Sequence, residues 1–151
     1  MLSFTNVFYL FTDKLSRLRA WRLTFLLVAA RSFDRLFLGG SNNLRGFSFR
    51  DVGPRDVNGE PLGGQSMARG TAEFTFPIIP EKARGAIFYD TGFVNIKSYD
   101  FDPNSVASDY GIGVRLNLPI GPLRIDYGWP LQKGGLKTSG GKFNFNVGYQ
   151  F

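Results

Sequence analysis

The closing stretch KFNFNVGYQF changes character at every step. Phe143, Phe145, Val147, Tyr149 and Phe151 alternate with Asn144, Asn146, Gly148 and Gln150. Side chains two apart share one face of a strand, so this pattern predicts a strand over 142–151 with one apolar and one polar wall. The same period runs through Tyr110, Ile112, Val114, Leu116 and Leu118, set against Gly111, Gly113, Arg115 and Asn117. It recurs where Leu123, Ile125, Tyr127 and Trp129 oppose Arg124, Asp126 and Gly128. Met67–Phe76 and Gly85–Val94 complete a set of five segments, each about the length that a tilted membrane strand needs. Short connections (Pro77–Ala83, Pro119–Pro122) alternate with longer polar ones (Asn95–Ser108, Leu131–Gly141). Short loops on one side and long ones on the other mark outer-membrane barrels.

A half-buried sheet in a soluble sandwich produces the same period. Lipid is favoured by the aromatic load of the apolar wall and by its placement near strand ends, where membrane girdles sit. The 151 residues suit one domain, and 16 phenylalanines are foreign to disordered chains. No stretch reaches the roughly 18 apolar residues of a helical span. Alternating strands reconcile 43% hydrophobic residues with a mean hydropathy of only −0.10. Cysteine and histidine are absent, which excludes disulfides, zinc thiolates and histidine acid–base chemistry; no metal or cofactor is expected. The net charge of +6 comes from scattered cations that form no run, which fits loop tips and a polar lumen rather than a nucleic-acid surface.

Residues 1–32 read differently. Lys14, Arg17, Arg19 and Arg22 precede the apolar run Leu23–Ala30, which would suit a signal-peptide core, a strand, or a misassigned start.

The loop sequence GGSNNLRGFSF over 39–49 raises the functional question. It surrounds Arg45 with small, mobile residues, although a guanidinium is built for forked contacts with carboxylate or phosphate. Alternation sets Glu73 with Arg69, Thr71 and Thr75 on the polar wall, and Asp90 with Phe88 and Gly92. If these strands are neighbours, two carboxylates project inward and Arg45 could meet them. Unrelated polar residues and a solvated arginine are the other reading. Glu73 and Asp90 could also be taken for a glycosidase pair. A nearby guanidinium argues against that, because it favours the ionised form over a general acid.

LFLGGSNNLRGF, DVGPRD, GGQSMARGTAEFTFP, AIFYDTG, DYGIGVRLNLPIGPLRIDYGWPL and FNFNVGYQF, in this order, resemble the BamA/TamA superfamily, also called the bacterial surface antigen family. Its members are polypeptide-transporting barrels of the bacterial outer membrane. The resemblance covers 33–151 and implies an all-β fold: the C-terminal antiparallel strands, five or six, of an incomplete transmembrane β-barrel. It implies that the loop carrying Arg45, Gly46 and Phe47 enters the lumen and that Arg45 contacts Glu73 and Asp90. It implies a non-enzymatic assembly factor without cofactor. Its partners would be outer-membrane lipid, unfolded β-barrel clients, and the remaining strands and POTRA domains of a longer parent. A two-partner-secretion-type pore or a client-free surface antigen is the alternative. The final strand, with Gly148 and Phe151, would form one side of a lateral seam. Gly148 would weaken pairing there, or merely make room for a neighbour.

Overall fold

A computed structural model describes residues 2–10, 20–29, 35–97, 105–119, 121–133 and 140–148. Seven antiparallel strands form one sheet in sequence order. They are β1 (Leu2–Leu10), β2 (Ala20–Ala29), β3 (Ser66–Ile79), β4 (Ala83–Asn95), β5 (Ala107–Leu118), β6 (Gly121–Lys133) and β7 (Lys142–Val147). The last five occupy the segments that alternate in the sequence, mostly extended by a few residues. The first two lie within residues 1–32, and β2 pairs along its whole length with β3, Arg22 facing Glu73. β7 ends at Val147, and Gly148 follows with φ +101°, a conformation that L side chains rarely adopt. The expected strand residues Tyr149 to Phe151 lie outside the described residues.

From β2 onward the meander sorts its connections by length. β3–β4 and β5–β6 are joined by three and two residues, and these turns lie at one end of the sheet. The β2–β3, β4–β5 and β6–β7 connections are long and emerge at the other end. The longest of them, between β2 and β3, folds back over one face of the sheet.

That loop divides the two faces. On the covered face, Phe88, Asp90, Asp109 and Asp126 are all 2% exposed or less. On the bare face stand Phe25, Ile87, Tyr89, Tyr110, Ile112, Phe143, Phe145 and Val147, all exposed. Near the long-loop end of this face, Trp129 stacks on Tyr110 at 5.7 Å and meets Tyr127 edge-on at 4.6 Å. Charges lie inside and hydrocarbon lies outside, the reverse of a soluble sandwich. An apolar face of this extent in water marks an interaction surface. Here its aromatic rim of Tyr110, Tyr127 and Trp129 fits a membrane interface beside acyl chains. Under the loop lies a small apolar core of Leu38, Leu44, Phe47, Val52, Met67, Val94 and Ala107, with Leu26 and Leu36 against its edge.

Because the chain lacks cysteine, nitroxide labels can be placed singly along β5. Labels at 110, 112 and 114 in lipid vesicles are expected to show high oxygen and low nickel-chelate accessibility, and a label at the exposed position 117, on the other face, the opposite. Equal accessibilities at 112 and 117 would contradict the assignment of faces.

Candidate functional site

The covering loop holds itself together before it touches the sheet. Leu36 and Gly64 exchange backbone hydrogen bonds, and the Val52 N–H donates to the Leu38 carbonyl at 3.0 Å. Gly39 and Gly40 take φ of +112° and +103°, turning the chain into the tight reversal that ends at Leu44. Arg69 on β3 clamps this reversal: its Nη1 donates to the Asn42 carbonyl and to Asn43 Oδ1 at 2.5 and 2.7 Å. Leu44 and Phe47, 0% and 1% exposed, drive the same turn into the core beneath. Burying each such side chain contributes about 1.5–3 kcal/mol.

Arg45, between those two apolar anchors, is 2% exposed. Its Nε and Nη2 donate to the two oxygens of Asp90 at 2.7 and 2.9 Å, a forked pair. Nη1 donates to Glu73 Oε2 at 2.7 Å and reaches Asp126 Oδ2 at 3.5 Å. The Phe88 ring lies 3.5 Å from the guanidinium carbon, a cation–π contact in a desolvated site. Asn144 Nδ2 donates to the Arg45 carbonyl at 2.7 Å. Through one residue the loop is therefore tied to β3, β4, β6 and β7.

The cluster extends beyond these pairs. Arg115 on β5 bridges Glu73 at 2.9 Å and Asp126 at 2.5 Å, and Arg124 on β6 reaches Asp126 at 2.5 Å. Three guanidiniums thus face three carboxylates, Glu73, Asp90 and Asp126. Burial alone would lower the pKa of Arg45, but the Asp90 hydrogen bonds and the charges of Asp90, Glu73 and Asp126 outweigh it. The net effect is a raised pKa, and Arg45 keeps its charge.

Gly46 is needed because two backbones touch. A Cβ there would lie 2.5 Å from Asp109 Cβ and 3.1 Å from the Pro130 nitrogen. A Cβ on Gly128 of β6 would in turn lie 2.7 Å from the Gly46 nitrogen. Any side chain at either position would lift Arg45 away from its carboxylates. Asp109, fully buried and directly opposite Asp90 in the β4–β5 register, forms the floor under Gly46.

The structure thus brings together Arg45, Gly46, Phe47, Glu73 and Asp90. It keeps Gly148 apart from them, at the exposed end of β7, and Phe151 lies outside the described residues. Asp126, Arg115, Arg124, Phe88, Asn144 and Asp109 join the cluster without having been singled out in the sequence. Alternation already sets the first five of these on the polar wall. The missing signal was the clearance over β5. Gly111 lies under the Phe88 ring, and Gly113 lies under the Asp126 carboxylate and the Arg115 guanidinium. Side chains from β4 and β6 can therefore meet across the strand between them.

A transmembrane β-sheet with an apolar outer face and a charged, loop-covered inner face is the class that these features define. Residues 20–151 match the Omp85 superfamily domain. The chain is 33% identical over 124 residues to the outer membrane protein assembly factor BamA of Nitratidesulfovibrio vulgaris (strain Hildenborough), covering 79% of this chain and 16% of that protein. It is 34% identical over 109 residues to BamA of Neorickettsia risticii, covering 67% of this chain and 14% of the relative. It is 32% identical over 124 residues to the chloroplastic outer envelope protein 80 of Arabidopsis thaliana, covering 76% and 15%. The crystal structure of Haemophilus ducreyi BamA lacking POTRA domains 1–3 superposes with a TM-score of 0.70 at 20% identity, over 92% of this chain and 32% of that one. The chain belongs to the Omp85 superfamily and has the fold of a BamA barrel fragment. It is an outer-membrane chain. It spans 14–16% of the length of these curated relatives.

Removing one member of a buried ion cluster strands the others, so Arg45→Ala is expected to destabilise the fold by about 3–5 kcal/mol. Arg45→Lys, which keeps the charge and loses the fork, should recover only part of this, as read from urea midpoints in micelles. Exchanging Arg45 with Glu73 would restore a simple pair. In this geometry it is expected to give no rescue, since a carboxylate at 45 would face Asp90 and Asp126. A double variant more stable than Arg45→Ala would contradict the shared cluster.

Proposed function

We propose that this chain forms the C-terminal wall and the inward loop of an outer-membrane barrel that folds or inserts β-barrel proteins. The observation that carries this reading is the Arg45 loop seated across the inner face, in a chain whose relatives include proteins named as assembly factors. A sheet in hydrocarbon needs its edges paired, because each orphan backbone group costs several kcal/mol. β1 and β7 each have one strand neighbour among the described residues, so the complete protein supplies further strands. The partners on this reading are outer-membrane lipid, those remaining strands, POTRA domains upstream, and unfolded β-barrel clients.

Work on a client requires a firm wall and a weak seam. The Arg45 cluster supplies the first, joining the loop to four strands with hydrogen bonds and ion pairs rather than covalent chemistry. β7 supplies the second. Among the described residues its ladder with β6 runs from Leu123 to Gly128, while β6 continues from Trp129 to Lys133. At the other end, Gly148 takes φ +101°, its N–H still donating to the Pro122 carbonyl at 2.9 Å. Unpaired edge groups are templates for another strand, and a client strand could add there without first breaking a long ladder. The cluster is a structural element of this mechanism, not a catalytic one. Glu73 and Asp90 both serve as acceptors for guanidinium groups.

In the complete barrel protein, Arg45→Ala is expected to lower the level of folded outer-membrane proteins and slow growth when it is the sole copy. The barrel's heat-dependent gel migration should shift at a lower temperature. Unchanged growth together with unchanged migration would contradict the proposal.

A further inference from the structure

Beside the neutral cluster lies a cavity of about 110 Å³ between the loop and strands β2 and β3, closed on one side by Arg124 of β6. Arg22, Arg45, Arg69 and Arg124 line it together with Thr24 and Thr71, and Glu73 is its sole acidic lining residue. Glu73 is already claimed by Arg45 and Arg115, and Arg124 by Asp126. Arg22 and Arg69 have no carboxylate within 4 Å among the described residues. Arg69 Nε is moreover buried without any acceptor, while its Nη1 holds the loop. Asp109 does not line this cavity.

A buried N–H without an acceptor is costly, and native structures pair nearly all such groups with protein, water or an ion. Two surplus guanidiniums and two hydroxyls lining a half-open polar space supply what an oxyanion requires: two positive charges and donors from several directions. The volume exceeds that of a single water site several-fold. We propose that this cavity binds one small oxyanion of the phosphate or carboxylate class, held chiefly by Arg22 and Arg69. The anion would complete the charge balance of the inner face and join β2 to the loop, which the Arg45 cluster does not reach. This site is independent of the assembly function and can be tested without a client.

Calorimetric titration of the full chain in zwitterionic micelles at low ionic strength, with inorganic phosphate and separately with N-acetyl-aspartate amide, tests the assignment. Saturable one-to-one binding of either probe, weakened at least tenfold by Arg22→Gln, is expected. Because the Arg22 side chain makes no hydrogen bond or ion pair among the described residues, this substitution should leave the fold intact. Arg69→Lys, which keeps one donor for the loop, should weaken binding to a lesser degree. Arg35→Gln, whose wild-type guanidinium donates to the Leu62 carbonyl away from the cavity, should bind as the parent does. The tighter probe identifies the source, free phosphate or an acidic side chain. No saturable binding of either probe, or binding unchanged by both Arg22→Gln and Arg69→Lys, would overturn the proposal.

Discussion

The organisation of the inner face depends on one buried guanidinium with more carboxylates around it than it can neutralise alone. Arg45 forks onto Asp90, shares Glu73 with Arg115, and borders Asp126, which Arg115 and Arg124 also hold. Every member has at least one partner that would be left charged and dry by its removal. Such a network contributes little net stability over an apolar core of equal shape, because desolvation offsets most of the attraction. It does specify position. Four strands and a loop must adopt one mutual register for all the contacts to form together, and sliding any strand by two residues would break several of them at once.

Lipid on the other side of the sheet explains why specification is needed here. A soluble fold can seat a loop by burying apolar surface, whereas hydrocarbon already satisfies the apolar residues of a membrane sheet. The inward loop therefore combines two devices. Leu38, Leu44, Phe47 and Val52 provide a small private core, and Arg45 between them provides the register. Gly46 and Gly128 let the two backbones touch, so the guanidinium reaches its partners without stretching. In the motif Arg45–Gly46–Phe47, the three residues supply charge, close approach and burial in turn.

Much of this was legible in the sequence. Strict alternation in β5, β6 and β7 is enough to assign faces, and alternation in β3 and β4 sets Glu73 and Asp90 on the polar wall; that the loop lands on them was implied by the family resemblance alone. Residues 1–32 did not read as strands with the same clarity. In β2, Leu23 to Leu27 lies in an apolar run broken only by Thr24, so its two faces look alike until pairing with β3 separates Phe25 and Leu27 from Thr24 and Leu26. Phe88 is an aromatic on a polar wall, an anomaly whose reason is the guanidinium above it. Asp126, Arg115 and Arg124 looked like separate lumen charges, because their meeting depends on the empty space over Gly111 and Gly113, and alternation carries no information about such space. Asp109 escaped notice for a related reason: its role is to lie under Gly46, a contact fixed by where the loop lands.

The inner face is held by an Arg45 guanidinium that is dry and stacked on Phe88. Nitrogen-15 spectra of selectively labelled arginine in the folded protein report this directly. Resolved, slowly exchanging Arg45 Nε and Nη protons are expected, shifted upfield by the ring and showing nuclear Overhauser contacts to Phe88. Averaged signals in fast exchange with water, without contacts to that ring, would contradict it.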